Sequence, residues 1–216
     1  PLTHRVYLNK SFNDDGAEMS WVLPTETYAE LGGGVFRGDD FPFGGSTSGL
    51  GGWSAFGRTG GDIGNNQSWR VGAYALQGDV NARATNEDAI TFAGKSDLYA
   101  ADFRYTWAPT GNARSKELLL QAEYFHREED GTYNTGNGLV SFDDKSSGWY
   151  TQGVYKFAPA WRLGVRYSRM HAPGTPAGLA GSSLDAAGHD PQAFALMGDW
   201  TNSEYGRLRL QYNREE

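Results

Sequence analysis

Apolar and polar residues alternate with a period of two along much of the chain. The clearest case is the segment 161–167 (WRLGVRY), where aromatic and aliphatic residues alternate with arginine and glycine. Similar alternation recurs in the segments 102–107 (DFRYTW), 118–124 (LLLQAEY) and 207–212 (RLRLQY), although Leu119 interrupts the polar side of the second of these. Because successive side chains of a strand point to opposite faces, the pattern predicts strands with one apolar and one polar face.

Read in this way, the chain contains about ten predicted strands, and no segment has a convincing helical period. The predicted strands are residues 16–23, 26–36, 50–60, 68–77, 96–107, 115–126, 148–157, 161–170, 192–201 and 205–213. Many of them are close to the ~9 to 11 residues that a tilted strand needs to cross a bilayer. The sequence therefore predicts an all-β protein.

The predicted connections alternate in length. Short turns are predicted at 24–25, 62–67, 109–113, 159–160 and 202–204, and long loops at 37–49, 78–95, 127–147 and 171–191. If consecutive strands are antiparallel, all short turns lie at one end of the sheet and all long loops at the other. This asymmetry favours a transmembrane antiparallel β-barrel with short periplasmic turns and long outer loops over a soluble β-sandwich.

The composition agrees with a barrel better than with a conventional globular core. Only 38% of the residues are hydrophobic, whereas 14% are aromatic and 30 are glycine. No run approaches 18 apolar residues, which excludes a transmembrane helix, but a barrel strand exposes only alternate residues to lipid. Cysteine is absent, and the net charge of −7 argues against a nucleic-acid partner.

Charged residues on the polar faces are the best functional candidates, because a charge at mid-bilayer depth must face water or a partner. Eight cations and four anions are predicted to face the lumen, which favours anionic solutes; alternatively, these charges neutralise one another and stiffen the wall. The candidates are Arg58, Arg70, Arg104, Lys156, Arg162, Arg166, Arg207, Arg209, Glu18, Glu30, Asp102 and Glu123.

Aromatic residues concentrate at the predicted strand ends. Amphipathic rings at two heights are typical of the aromatic belts at membrane interfaces, although aromatic residues also favour the strands of soluble proteins. The predicted belt consists of Trp21, Trp69, Trp107, Trp149, Phe157, Trp161 and Trp200.

Motifs for catalysis or metal binding are absent from the sequence. The four histidines show no zinc-ligand spacing, and no nucleophile-elbow or phosphate-loop motif occurs. Acidic runs at 39–40, 87–88, 128–130 and 143–144 are interpreted as a solvated outer rim, with recruitment of cations as an alternative. We therefore expect neither an enzyme nor a cofactor. An outer-membrane hydrolase that uses His126 with residues 128–130, or His171 with Ser168, is left open.

Several segments resemble bacterial outer-membrane porin-like proteins, loosely of the phosphate-selective porin O and P type, some of which are described as zinc-regulated or receptor-like. The resemblance is carried by 21–25 (WVLPT), 31–42 (LGGGVFRGDDFP), 60–64 (GGDIG), 101–112 (ADFRYTWAPTGN), 120–124 (LQAEY) and 147–167 (SGWYTQGVYKFAPAWRLGVRY). It implies the outer membrane of a Gram-negative bacterium, a signal peptide upstream and further strands on both sides. It transfers no solute, because the lysine-rich binding region of the phosphate-selective members has no counterpart here.

These observations predict that residues 1–216 are a single β-barrel domain, truncated at both ends. The predicted function is a porin-like channel for the passive passage of small hydrophilic solutes, including anionic ones. Membrane lipid and lipopolysaccharide are the expected partners, and a homo-oligomer is left open. The alternatives are a secreted carbohydrate-binding β-sandwich, an outer-membrane hydrolase, and a structural or adhesive barrel.

Overall fold

Strands make up most of the structure. The computed structural model describes residues 1–9, 11–45, 49–85, 90–182, 184–203 and 206–216. These residues form the helix α1 (Leu2–Leu8) and the strands β1 (Gly16–Val22), β2 (Tyr28–Phe36), β3 (Gly52–Ile63), β4 (Gln67–Ala84), β5 (Thr91–Trp107), β6 (Glu117–Asn134), β7 (Leu139–Ala158), β8 (Trp161–His171), β9 (Gln192–Ser203) and β10 (Gly206–Glu215). A 3-10 turn follows β8 at Ala177–Leu179.

All ten strands belong to one sheet, in which each strand pairs antiparallel with its neighbours in chain order. Every predicted strand is present, so the predicted all-β antiparallel fold is confirmed. A sandwich of two packed sheets is wrong for this part of the chain. β1 and β10 are the edges of the sheet, and their described residues do not pair with each other.

Four strands are longer than the sequence predicts. β4 to β7 contain 17 to 20 residues each, so most of the predicted loops 78–95 and 127–147 is strand. The acidic positions 128–130 and 143–144 lie within β6 and β7. These strand extensions have an apolar face of their own. The ring centroids of Phe92 and Phe142 lie 5.0 Å and 5.2 Å from the ring centroid of Tyr133. The predicted loops at 37–49 and 171–191 do connect strands.

Some predicted features lie outside the described residues. They are the acidic pair Glu87 and Asp88, residues 46–48 of the first long loop, residue 183 of the last one, and residues 204 and 205, where the last turn was predicted to end and the last strand to begin.

The helix α1 was not predicted, because seven residues are too few to show a helical period. Its buried residues are Thr3 and Tyr7, one helical turn apart, and Tyr7 stacks on Phe125 of β6 with ring centroids 5.5 Å apart. The helix ends at Asn9, which has the left-handed conformation (φ 45) common at helix ends. No helix among the described residues is long and apolar enough to cross a membrane.

The sheet is curved around the segment that includes α1. Arg5 of α1 bonds Glu215 of β10 at 3.1 Å, and Phe12, four residues beyond the helix, contacts Phe36 of β2. In a flat sheet, β2 and β10 would be about 38 Å apart, at about 4.8 Å per strand. Residues 5 and 12 can be separated by only about 20 Å, given the rise of helical and extended backbone. Because both contacts form, the sheet must curve to bring β2 and β10 closer together. We call the concave face that contacts α1 the inner face, and the opposite one the outer face.

The buried hydrophobic residues lie mainly on the inner face, towards the end of the sheet that carries the long loops. They include Phe36, Leu76, Leu98, Phe125 and Phe142. Phe43 from the loop after β2 and Leu179 from the loop after β8 pack against this cluster and are 0% and 3% exposed. The two long loops therefore fold inwards and cover part of the inner face.

Candidate functional site

All twelve charged residues that were predicted to face a lumen lie on the inner face. Directly paired residues of neighbouring strands share a face, and one continuous row of pairs joins Glu30 to Arg58 and Asp102 to Glu123, which in turn pairs with Tyr150 near α1. The alternation places the other members on the same side: Glu18, Arg70, Arg104, Lys156, Arg162, Arg166, Arg207 and Arg209. That this face borders a water-filled lumen remains a prediction.

Two of the predicted arginines form ion pairs with predicted carboxylates on neighbouring strands. Arg70 lies 3.4 Å from Asp102, and Arg58 lies 3.6 Å from Glu30. The Arg58 guanidinium also lies over the Phe56 ring, 4.4 Å from its centroid. These contacts offset both cations where α1 faces the sheet.

Two further arginines bind a carboxylate that the sequence analysis did not include. Asp199 of β9 is only 1% exposed, and it accepts hydrogen bonds from Arg207 at 2.8 Å and from Arg209 at 3.1 Å. The period of two would have placed Asp199 on the inner face, because it stands between Gly198 and Trp200 in a predicted strand. The count of predicted anions was therefore too low.

Four predicted cations have no ion pair within 4.0 Å in the described part of the chain: Arg104, Lys156, Arg162 and Arg166. Lys156 is directly opposite Arg162 in the sheet, and Arg104 is directly opposite Arg70. These like charges lie towards the short-turn end of the inner face. Glu117 is directly opposite Lys156 and Asp199 is directly opposite Arg162, so carboxylates near the short turns lower the net positive charge of this group.

Glu123 is the centre of a hydrogen-bonded cluster that joins α1 to the sheet. Its carboxylate accepts hydrogen bonds from Tyr150 at 2.7 Å and from Gln121 at 2.9 Å, and it lies 2.5 Å from the His4 ring nitrogen. The Gln152 side chain donates to Gln121 at 3.0 Å and extends the cluster across β7. No local pattern in the sequence indicates this cluster, because His4 is 119 residues from Glu123.

A second buried cluster holds the loop after β2 against the inner face. Glu129 is 6% exposed, lies 2.8 Å from Arg83, and accepts a hydrogen bond from Ser96 at 3.0 Å. Arg83 also donates to the backbone oxygen of Pro42 in the loop, and Arg127 lies 3.7 Å from Glu129. The carboxylate thus has charged partners on two strands.

The outer face is apolar over most of its height in every strand. Tyr99 to Trp107 of β5 is a nine-residue example, in which the outward positions are aromatic residues and Ala101. Exposure remains high at the edge, with Leu208 at 57% and Leu210 at 71%. The large apolar residues exposed on this face include Met19, Trp21, Leu31, Val35, Trp53, Val71, Phe103, Leu120, Tyr124, Tyr155, Leu163, Val165, Phe194, Leu196 and Tyr212.

Charged residues begin where this apolar band ends. On the outer face of the strand extensions, Glu128 lies 3.0 Å from His126 and 2.8 Å from Lys145. Asp97, directly opposite Glu128 on β5, belongs to the same zone. The outer face therefore has a sharp boundary between apolar and charged surface.

The predicted aromatic residues lie at two heights. Six of them are close to the short turns, and Trp161 and Trp200 are there in contact, with ring centroids 6.2 Å apart. Trp149 lies at the opposite end of the apolar band, where its ring is 5.5 Å from that of Tyr167. The group near the short turns is Trp21, Trp69, Trp107, Phe157, Trp161 and Trp200. A role in a membrane interface remains a prediction.

Of the two pairs in the hydrolase alternative, the structure brings His126 and Glu128 to 3.0 Å but places Ser168 and His171 on opposite faces of the sheet. Ser168 is buried on the inner face, whereas His171 is exposed and bonds Asp190 at 2.8 Å. Burial raises the pKa of Asp190, but the hydrogen bond with His171 lowers it, with a net decrease. His126 and Glu128 are on the outer face. Among the described residues, no three His, Asp or Glu side chains are close enough together to hold a metal ion.

Comparisons with known proteins give two similarities. No family model matches the chain. An uncharacterized protein of Aquifex aeolicus (strain VF5) is 26% identical over 227 residues, which cover 98% of this chain and 47% of the relative, so the chain spans about half the length of that relative. The crystal structure of the Pseudomonas putida toluene transporter TodX aligns with a TM-score of 0.41 and 10% identity over 93% of this chain and 68% of that one. The porin-like family resemblance therefore remains a prediction.

Proposed function

We propose that the ten-stranded sheet is part of the wall of a bacterial outer-membrane channel for the passive passage of small hydrophilic solutes. The observation that carries the proposal is the opposite character of its two faces. Over the height of the apolar band, one face is apolar and exposed in all ten strands, and the other carries the charged residues. Soluble monomers rarely expose continuous apolar patches above a few hundred Å², whereas lipid-facing barrel walls do so along their whole circumference.

The height of the apolar band supports the same proposal. Nine residues of β5, from Tyr99 to Trp107, extend for about 26 Å at ~3.3 Å per residue. This length is close to the ~25 Å apolar band of transmembrane barrels, before the tilt of the strands is taken into account. The charged zone around Glu128 then lies outside the hydrocarbon region, and β4 to β7 project from the membrane.

The edges of the sheet suggest how the wall is completed. All residues of β1 and β10 are exposed, and within the ranges that the structure describes neither edge has a second strand partner. Unpaired backbone groups cost several kcal/mol each in a hydrocarbon environment, so a membrane-inserted sheet needs further strands at both edges. In this proposal, residues 1–216 are one part of a larger barrel domain.

The four unpaired inner cations set the expected ion preference. Rings of fixed charge determine the selectivity of a pore. The ion pairs of Arg58 and Arg70 contribute little net charge, whereas Arg207 and Arg209 share one carboxylate and keep a net positive charge. Arg104, Lys156, Arg162 and Arg166 support a weak preference for anionic solutes.

The test is the conductance of the full-length protein that contains this chain, in a planar bilayer with a salt gradient. Stepwise currents with a small reversal potential of anionic sign are expected. The double variant Arg104→Gln/Arg166→Gln should move the reversal potential towards zero, whereas Lys145→Gln/Arg169→Gln, which removes two charges from the outer face, should leave it unchanged. Electrical silence of the folded protein would refute a channel, and a cation preference would refute the direction of selectivity.

A further inference from the structure

A cavity of about 310 Å³ lies between the inner face and the segment that contains α1. Strands β1 to β6 and residues His4, Leu8 and Phe12 form its walls. It is distinct from the cluster of unpaired cations, none of which lines it. Its volume is at the lower end of the range for small-molecule sites.

One side of the cavity is apolar. Its lining there consists of Leu8, Phe12, Phe36, Leu76, Leu98 and Phe125. Four of these residues are less than 9% exposed and belong to the hydrophobic cluster of the inner face. A ligand that occupies this side must therefore offer an apolar surface of its own.

The remaining lining is polar, including Ser54, which is directly opposite Leu76 in the sheet, and its free hydrogen-bonding atoms are mainly donors. The Ser54 hydroxyl, Arg58 Nε and Arg70 Nε are buried and have no hydrogen-bond partner among the described residues. The carboxylate of Asp102, in contrast, already accepts hydrogen bonds from Tyr74 and Arg70. A buried donor without a partner is costly, so a ligand that supplies an acceptor here gains free energy.

Both arginines of the polar side are paired with carboxylates before any ligand binds, and the carboxylates outnumber them. Arg58 has Glu30, Arg70 has Asp102, and His4 has Glu123 as its neighbour. Glu18 also lines the cavity and has no ion pair within the described part of the chain. An anionic ligand would add to this excess of negative charge, and a cationic ligand would have to approach the two arginines.

We propose that the cavity binds an uncharged amphipathic molecule with a compact apolar body and a hydrogen-bond-accepting group, such as a hydroxyl or a carbonyl. The apolar body lies between Phe36, Leu98 and Phe125, and the acceptor faces Ser54 and the two arginines. This inference deepens the proposed function, because it names a class of solute that the inner face retains.

The site is tested with 2-naphthalenemethanol as a fluorescent probe of the purified, folded full-length protein. Ala100 lines the cavity, whereas Ala195, an alanine on the same face of β9, does not. Ala100→Phe should weaken probe binding about tenfold, and Ala195→Phe less than about twofold. A constant detergent concentration makes partition of the probe into micelles equal in all samples. Equal affinities of the wild-type protein and the Ala100→Phe variant would overturn the site.

The head group is tested with the same ring system carrying a carboxylate or an aminomethyl group. Each charged probe should bind about tenfold more weakly than the alcohol, and equal or tighter binding of either one would overturn the proposed ligand class. Ser54→Ala, which preserves the packing, should weaken binding of the alcohol about threefold even if Ala100→Phe does not fold. Conductance separates the two proposals: probe binding by a silent protein would refute only the channel, and currents without probe binding would refute only the site.

Discussion

A charge placed at Val165 tests which face of the sheet contacts lipid. Val165 is 46% exposed on the outer face of β8, between Trp161 near the short turn and Tyr167 at the other end of the apolar band. Its cross-strand neighbours, Gly153 and Leu196, are uncharged. An arginine near the midplane of a barrel costs about 2 to 4 kcal/mol. Val165→Arg should therefore lower the folding equilibrium constant in vesicles by about 30- to 900-fold.

Val154 provides a matched control, because it is a valine on the neighbouring strand β7 that lies on the inner face. Val154→Arg should cost less than about 1 kcal/mol, since its charge faces water and its repulsion from nearby cations is screened. Urea titration of the full-length variants in phospholipid vesicles, followed by heat-modifiable mobility in gels, measures both values. Normal stability of Val165→Arg, or a larger loss for Val154→Arg than for Val165→Arg, would refute the assignment of the two faces.

Two further predictions concern the strand extensions and the loop after β8. A Cβ atom at Gly131 would lie 2.2 Å from a backbone oxygen of β5, so Gly131→Ala should destabilise the protein by about 1 to 3 kcal/mol. Gly198→Ala is the control, because a Cβ atom there meets no atom within 4 Å, and it should not destabilise the protein. Urea titration of the two variants compares their free energies of unfolding. Hydrogen bonds from the Gly181 and Ala187 backbone amides lower the pKa of Asp185, which lies in the loop after β8. The ionised carboxylate therefore stabilises this loop above the ordinary aspartate pKa of about 4. That stabilisation is lost as the pH falls through the lower pKa that Asp185 has in the folded protein. Limited proteolysis between pH 6 and pH 2 with an acid-stable protease should show the loop opening, and Asp185→Asn should abolish that pH dependence.

Much of the fold follows from the alternation of residues, because the period of two identifies both a strand and its faces. Segment 161–167 predicts β8 and the face of each of its residues, and the same reasoning places the twelve charged candidates on one side. The strand extensions were missed, since residues such as Glu129 look like loop residues in the sequence. Glu129 is buried in a strand because Arg83 and Ser96, which are distant in the sequence, supply its partners.

The helix and the cavity were also beyond sequence reasoning, for a different reason. α1 has two buried residues in one turn, Thr3 and Tyr7, and a single turn gives no periodic signal. The cavity exists because Leu8 and Phe12, from the segment that includes α1, lie over strands as distant in the chain as β6, which contributes Phe125. No local pattern encodes that contact.

The alternation identifies the charged face but not its net charge, and the difference matters for selectivity. A count of eight cations and four anions predicts a mild preference for anionic solutes, and one buried carboxylate, Asp199, lowers the positive charge further because it binds two of the arginines. Two more arginines have carboxylate neighbours on adjacent strands, at positions that depend on the register of the sheet. A solute in the proposed lumen would experience mainly the unpaired cations at the short-turn end. The field therefore depends on which strands pair, and for this reason we expect a weak anion preference near the turns and an uncharged ligand beside α1.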